Sequence, residues 1–490
     1  MRRTRPSFTP NTFGNEDRDA RIVSGRMRGV PGDLTTSTRP PTTVPLRHFL
    51  VALAFLVVGG TLALLRVTGA TGSETALGGI AVAHLLLVGW VCLTILGAMT
   101  QFVPVWSGVE LHSERLATLQ LVAVAVGVGG FAGGLWLGRP TDAALFASLI
   151  LVGFAVFVYN LARTLWRARP LDVTEGHFAL ALGFLALAAV LGGSLAADYR
   201  WSVLAPLGLS RTAVVDAHVT LAVLGVVLTT VFGALYQLGP MFTQTDALPI
   251  EDRLARAETA AYPVGVALLA AGRLLSIASL ATAGGLLAAG GAAVAGGVLL
   301  RRLRDATATA TPMLSRYAVV AVATLAWSAT AAATWVVDPL GPAARFGHPA
   351  AGPVLLGALV GFVVVGSLYH VVPFIVWLDR YADRVGLERV PAIDDLYDAR
   401  VATADLAATV LGAGLLLAAA VSPVVASLGA VGGSLEGLVR PLGGALVGGG
   451  ALLFAGNMAA TVVRHGGTAI LGGAGSAATA TPEAKDADDR

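Results

Sequence analysis

The chain has 490 residues, of which 55% are hydrophobic and 13% charged; its mean hydropathy is +0.75 and its formal net charge +3. Soluble chains of this length carry about twice that charged fraction, so the composition excludes an ordinary soluble enzyme and favours a membrane protein. The single cysteine, Cys92, excludes an intrachain disulfide and a cysteine-rich zinc or iron–sulfur site held by this chain alone.

Polar segments lie at both ends of the chain. Residues 1–46 contain eight arginines and four acids and no apolar stretch typical of a secretory signal. This composition predicts a disordered basic arm on the cytoplasmic side, suited to contact with anionic lipid. Residues 466–490 are predicted to be a disordered tail, which leaves 47–465 for a transmembrane domain.

Twelve apolar segments follow the arm, and about 20 helical residues suffice to cross the hydrocarbon core of a bilayer. The sequence "GRLLSIASLATAGG" scarcely interrupts the hydrophobicity between the seventh and eighth, so the sequence leaves open whether these are separate helices. The predicted spans are 48–65, 78–106, 116–138, 143–165, 177–197, 213–243, 258–274, 282–300, 317–337, 350–378, 401–422 and 441–463.

The distribution of basic residues predicts the orientation. An even number of spans puts both termini on one side, and a cytoplasmic placement assigns 26 Lys and Arg to inner segments and 7 to outer ones. By the positive-inside rule we expect a multi-pass protein of the cytoplasmic membrane with both termini in the cytoplasm.

One eight-residue phrase occurs three times, as "GAMTQFVP" at 97–104, "GALYQLGP" at 233–240 and "GSLYHVVP" at 366–373. Each copy ends a span at the inner side and places a glycine, a polar residue (Gln101, Gln237 or His370) and a proline on one helical face. Singly, each copy is explained by close helix packing and a helix end. Together, in spans two, six and ten, they predict three pseudo-repeated units of four helices.

The chain has eight histidines, and a histidine at membrane depth is a functional candidate by default. His84 and His218 begin spans two and six toward the outer face, whereas His348 precedes span ten. Imidazoles bind heme iron or copper, and the alternative is a helix-entry histidine bonded to water or backbone. Both interpretations stay open for His84 and His218. The helix-entry interpretation is favoured for four others, His48, His112, His177 and His465.

Two of the histidine-bearing spans resemble a known family. "AHLLLVGWVCLTILGAMTQFVPVW" resembles the helix of cbb3-type oxidase catalytic subunits that carries a histidine, then Gly-Trp, then Gly, Tyr and Pro, and "AHVTLAVLGVVLTTVFGALYQLGP" is a looser match. The phrase "FVPVWSG" is similar to a Pro and Trp-Ser/Thr-Gly pattern in the NnrS-like family, twelve-span heme and copper proteins linked to nitric oxide tolerance. The resemblance implies the twelve-span fold of heme–copper oxidase subunit I, with three arcs of four helices.

The resemblance also implies roles for individual residues. His84 matches the second-span histidine, an axial ligand of the low-spin heme, and His218 lies where the sixth-span copper ligand would be. Pro353 takes the span-ten position in register with His84, so His348 could act there only by a shift of five residues, and His370 falls at the wrong depth. Span seven has no histidine pair. A heme b is therefore the expected cofactor, copper is not expected, and the chain is not expected to be a terminal oxidase.

Two charged residues near the outer ends of spans have predicted local roles. Asp216, two residues before His218, is predicted to cap the helix start or to orient that histidine. Arg273, near the outer end of span seven, is predicted to extend toward lipid headgroups.

Three functions remain as alternatives. The first is a heme-binding membrane protein for electron transfer or a nitric oxide- or heme-related response, with a redox partner or other membrane subunits. The second is a cofactor-free permease or channel on the same scaffold, its pore lined by threonines and by Gln101 and Gln237. The third is a structural or assembly subunit. In each case the chain contacts the lipid bilayer, and no motif indicates nucleic-acid binding.

Overall fold

A computed structural model describes residues 40–69, 76–246, 248–308, 311–427 and 436–466. Nearly all of the predicted basic arm lies outside the described residues, and so does the predicted tail apart from Gly466.

The described residues form helices and no β-strand, which confirms the all-α class. Short 3-10 turns lie between some of the long helices. The long helices are α1 (Thr43–Val67), α2 (Leu77–Ser107), α3 (Glu114–Trp136), α4 (Pro140–Arg167), α5 (Val173–Trp201), α6 (Arg211–Thr243), α7 (Pro249–Leu274), α8 (Ala278–Arg304), α9 (Pro312–Val337), α10 (Val354–Arg380), α11 (Ala399–Ser427) and α12 (Glu436–His465).

Eleven of these helices in the described part of the chain are long and apolar enough to cross a membrane, so the chain is a multi-pass membrane protein. The remaining one is α7, whose first ten residues include Glu251, Asp252 and Glu258. A turn at Leu275–Ile277, with Ser276 in the left-handed region (φ 57°), separates α7 from α8. The seventh and eighth apolar segments are therefore two helices.

Helices α1, α5 and α9 begin four or five residues before the predicted spans at 48, 177 and 317. Local capping explains two of these starts. Asp172 accepts a hydrogen bond from the backbone N–H of Glu175 in a capping box before α5. Thr311 caps α9, whose first residue is a proline.

Helix pairs of the same kind recur along the chain. The most extensive packing joins α3 with α4, α7 with α8, and α11 with α12, each a pair of consecutive helices. Helix α12 also packs against α1, so the last helix returns to the first.

The repeated phrase lies at close contacts of α2, α6 and α10 with α1, α5 and α9. A Cβ added to the glycine of each phrase would meet the Cβ of one residue on the preceding odd-numbered helix. These distances are 2.5 Å for Gly97 and His48, 2.5 Å for Gly233 and His177, and 3.2 Å for Gly366 and Arg316. Real Cβ atoms do not approach below about 3 Å, so the first two contacts require glycine. We call the end of the bundle with these three phrases the repeat end.

We expect Gly233→Ala to lower the free energy of unfolding by about 2 kcal/mol, because the added methyl group must displace His177. The matched control is Gly183→Ala on α5, where a Cβ would meet nothing within 4 Å. That variant should be neutral or up to about 1 kcal/mol more stable, since alanine is the better helix former. Denaturant unfolding in mixed micelles measures the free energy of unfolding of both variants. Equal changes would show that stability does not depend on the close contact between α5 and α6 at Gly233.

Candidate functional site

His84 lies on α2 directly before a π-helical stretch, Leu85–Cys92, and toward the end of the bundle opposite the repeat end. Its Nδ1 is 2.8 Å from the carbonyl oxygen of Ile80, and its ring centroid is 4.8 Å from that of Phe131 on α3. A carbonyl only accepts hydrogen bonds, so Nδ1 carries the proton. In the neutral ring, Nε2 is then left with a lone pair.

His218 on α6 has the same protonation pattern. Its Nδ1 donates to the carbonyl of Ala188 on α5 at 2.9 Å, which again leaves the Nε2 lone pair. The ring fits against Gly192, where a Cβ would lie 2.8 Å from His218 Cε1. Thus α5 fixes the orientation of a histidine carried by α6.

The rings of His84 and His218 lie close enough to interact electrostatically. Among the described residues, neither Nε2 has a hydrogen-bond partner. Two predicted site residues thus each have Nδ1 bonded to a backbone carbonyl and Nε2 without a hydrogen-bond partner in the described part of the chain.

π-Helical stretches occur in α2, α6 and α10: Leu85–Cys92, Thr220–Leu228 and Val354–Gly361. Such stretches are rare and are frequent at functional sites, because the extra residue per turn redirects the side chains around it. Pro353 directly precedes the third stretch, as His84 directly precedes the first, so these two residues have the same position relative to the π-helical stretch. His218 lies two residues before the second.

The other predicted site residues lie apart from this pair. His348 is exposed and caps its own 3-10 turn, where Nδ1 accepts from the backbone N–H of Ala350 at 3.2 Å. His370 packs against Phe242, with ring centroids 4.5 Å apart, at the repeat end. Gln101 is buried and its Oε1 has no partner among the described residues, whereas Gln237 is half-buried.

Asp216 does not have either predicted role. Ser210 caps α6, and the partner of His218 Nδ1 is a backbone carbonyl. The buried Asp216 carboxylate instead pairs with Arg345 at 2.5 Å, which joins α6 to the loop before α10. Arg345 lies in the loop between α9 and α10. The sequence pattern does not predict that this loop lies next to Asp216, so the ion pair could not be predicted from it.

Arg273 does not extend to the headgroups. It is 3% exposed, and its guanidinium donates to the hydroxyl of Thr220 at 2.7 Å. It also donates to the carbonyls of Pro339, Ala344 and Arg345 in the loop after α9. Five donors in one plane satisfy several carbonyls at once, which stabilises the loop against α6 and α7.

A second set of polar contacts lies at the repeat end and was missed at the sequence level. The residue that faces each phrase glycine makes two hydrogen bonds. One is to a backbone carbonyl of its own helix, and the other is to a buried polar side chain on the second helix after it in the chain. The pairs are His48 Nε2 with Gln120 Oε1 at 3.1 Å, His177 Nε2 with Glu258 Oε2 at 2.9 Å, and Arg316 with Asp405. All six residues are buried.

His48 and His177 make the backbone hydrogen bonds that the helix-entry interpretation expects, but both are buried and also contact other helices. Their Nδ1 atoms donate to Val44 and Val173 within their own helices, and their Nε2 atoms meet polar side chains of other helices. A signal for this role exists in the sequence. "HF", "HF" and "RY" occur at the starts of spans one, five and nine, with Arg316 directly before the predicted span nine.

A cavity of about 90 Å³ lies where α2, α6 and α10 meet. The same five positions of each phrase helix line this cavity. They lie three and two residues before the phrase glycine, and one, two and five residues after it. The residues three positions before the glycines are Thr94, Thr230 and Val363, and most of the other lining residues are apolar. Thr94 Oγ1 is buried without a partner among the described residues.

No protein-family model matches the chain, and no curated protein matches its sequence.

We expect Asp405→Leu to lower the free energy of unfolding by about 3–5 kcal/mol, because it leaves the buried Arg316 guanidinium unpaired. The double variant Arg316→Met with Asp405→Leu should be much less destabilised, since it removes both charges. Replacing the exposed pair Arg384 and Glu388 should change stability by less than about 1 kcal/mol. Denaturant unfolding gives the coupling energy; additive effects of the two buried substitutions would contradict this account.

Proposed function

We propose that the chain is an integral membrane protein of the oxidase subunit I type in which His84 and His218 hold a b-type heme. The observation that carries the proposal is the pair of imidazoles on α2 and α6. Each has Nδ1 bonded to a backbone carbonyl and a free Nε2. Backbone hydrogen bonds of this kind fix the tautomer and orientation of metal-binding histidines.

The number of donors fits a heme. A heme iron takes four nitrogens from the porphyrin and needs one or two axial ligands from the protein, whereas zinc and copper sites use three or four protein ligands. The described residues contain no group of three or more His, Cys, Asp or Glu placed to hold a metal ion. A two-imidazole set therefore suits heme better than copper.

Three observations support an arrangement in three units of four helices. The π-helical stretches fall in every fourth long helix, and so do the contacts of Gly97, Gly233 and Gly366. The central cavity is lined from the same register positions of α2, α6 and α10. We infer twelve spans, with the charged first half of α7 held inside the bundle by Arg302 of α8.

When bound, such a heme supplies one-electron oxidation and reduction. The contribution of the chain is to orient two neutral imidazoles through the hydrogen bonds that Nδ1 donates to the carbonyls of Ile80 and Ala188. Helix α7 has no histidine, so the copper pair of an oxidase is missing and dioxygen reduction is not proposed. We propose electron transfer or a nitric oxide- or heme-related response, with a redox partner or other membrane subunits.

The permease alternative gains little from the structure. Of its predicted pore residues, Thr94 and Thr230 line the central cavity, but the lining is mostly apolar. The hydroxyls of Thr100 and Thr229 bond to carbonyls of their own helices. A polar substrate would therefore find few partners along this axis.

We expect the purified wild-type protein to show a b-type reduced-minus-oxidised spectrum and about one heme per chain. His84→Ala and His218→Ala should each lower heme content at least tenfold, because each removes an axial nitrogen. A pyridine hemochrome assay on protein expressed with ample heme gives the stoichiometry.

The matched controls are His348→Ala and His370→Ala, which remove histidines whose contacts lie elsewhere. These variants should keep the wild-type spectrum. Heme-free wild-type protein, or unchanged heme content in both ligand variants, would refute the assignment and return attention to transport and partner binding.

The proposed orientation, with both termini in the cytoplasm, is testable because the one native cysteine can be removed. In a Cys92→Ala background we expect Arg139→Cys, in the α3–α4 turn, to react with an impermeant maleimide on intact cells. Arg169→Cys, in the α4–α5 turn, should react only after lysis. The reverse pattern would invert the assignment.

A further inference from the structure

His177 and Glu258 form an ion-pairing contact between α5 and α7 that is sealed from solvent. The Nε2–Oε2 distance is 2.9 Å, and both side chains are 0% exposed. Charged groups in such a position are costly unless paired, and an ionisable group within a membrane protein marks a functional site by default.

Hydrogen-bond accounting assigns one proton to this contact. His177 Nδ1 is 2.7 Å from the carbonyl of Val173, so it must be protonated. The bond between Nε2 and the Glu258 carboxyl then needs one further proton, carried either by the imidazole or by the carboxyl group. In both forms the pair is neutral overall, which makes its burial tolerable.

The two counterparts of this contact cannot exchange a proton near neutral pH. The Gln120 amide opposite His48 does not ionise, and its side-chain orientation is interchangeable, so its NH₂ group can donate to His48 Nε2. Arg316 stays protonated beside Asp405. Of these three described contacts, the one between α5 and α7 is the one whose shared proton can lie on either partner, because both an imidazole and a carboxyl group can carry it.

Two polar atoms beside the pair have no hydrogen-bond partner among the described residues. They are Glu258 Oε1 and the Tyr236 hydroxyl, both buried. Tyr236 faces the Glu258 carboxyl, and its ring centroid is 5.6 Å from that of His177. Leaving both atoms unpaired would cost about 1–3 kcal/mol each, so the position favours a hydrogen bond between the carboxyl and the hydroxyl that faces it.

Other ionisable groups connect this position to the surface of the repeat end. Tyr262 of α7 and Glu251 and Arg302 of α7 and α8 lie within electrostatic range of Glu258 or Tyr236. Glu251 bonds Arg302 and also pairs at 2.6 Å with Arg301, whose side chain is 26% exposed. On α5 itself, Glu175 bonds Ser107 of α2.

We propose that His177, Glu258 and Tyr236 form a proton-binding site that exchanges one proton with water at the repeat end. On release, the shared proton passes to solvent water at the repeat end, and a neutral His177 and a Glu258 carboxylate remain. The Tyr236 hydroxyl can then donate to Glu258 Oε1, which otherwise has no partner among the described residues. The site is separate from the His84–His218 pair and does not depend on bound heme.

The test is a pH-dependent infrared difference spectrum of the full chain in lipid nanodiscs, recorded between pH 5 and pH 9. We expect a carboxyl band that changes with pH in the wild type and is lost in Glu258→Gln. This variant should fold, because it reproduces at α7 the histidine–glutamine contact that already exists between His48 and Gln120. The control Glu388→Gln removes an exposed carboxyl and should leave the band unchanged.

Tyr236→Phe provides a second test that removes only the hydroxyl. We expect it to move the midpoint of the Glu258-dependent band by at least one pH unit, because the carboxylate loses the hydroxyl that faces it. Difference spectra that superimpose for the wild type and Glu258→Gln across the whole range would overturn the proposal. So would a band that Tyr236→Phe leaves at the same midpoint.

Discussion

Polar side chains inside a membrane bundle must find their partners within the protein, because lipid offers none. At the repeat end this constraint is met where a glycine brings two helices together. A residue from α1, α5 or α9 passes the glycine and bonds a third helix, as His48, His177 and Arg316 do. The glycine makes the approach possible and the hydrogen bond makes it specific, so each three-helix set depends on both.

The same geometry carries three different charge states. A neutral pair such as His48 with Gln120 costs little to bury, and an ion pair such as Arg316 with Asp405 holds its charges permanently. The pair between α5 and α7 lies between these cases because it shares one proton. Stability alone would be served by any of the three. Among these three contacts of the described residues, the α5–α7 pair differs because its proton can lie on either partner, and the proposed proton-binding site rests on this difference.

Hydropathy predicted the multi-pass class, and eleven long apolar helices in the described residues confirm it. Hydropathy placed the helix starts at the repeat end too late, because the apolar part of each of these helices begins after the helix itself. The predicted seventh span begins at Glu258, but α7 begins at Pro249, so Glu258 lies in the third turn and is buried. His48 and His177 are one turn inside their helices for the same reason. The π-helical stretches and the loop contacts of Arg273 depend on tertiary packing, which no local pattern encodes.

Four histidines use Nδ1 in one way, and Nε2 distinguishes their roles. His48, His84 and His177 donate from Nδ1 to the carbonyl four residues earlier, and His218 donates to a carbonyl of the neighbouring helix. This bond fixes the ring and leaves the second nitrogen to define its chemistry. At the repeat end a polar side chain occupies Nε2, so the ring links helices or holds a proton. At the opposite end, the Nε2 atoms of His84 and His218 have no hydrogen-bond partner among the described residues, and this difference is the basis of the proposal that they bind a metal.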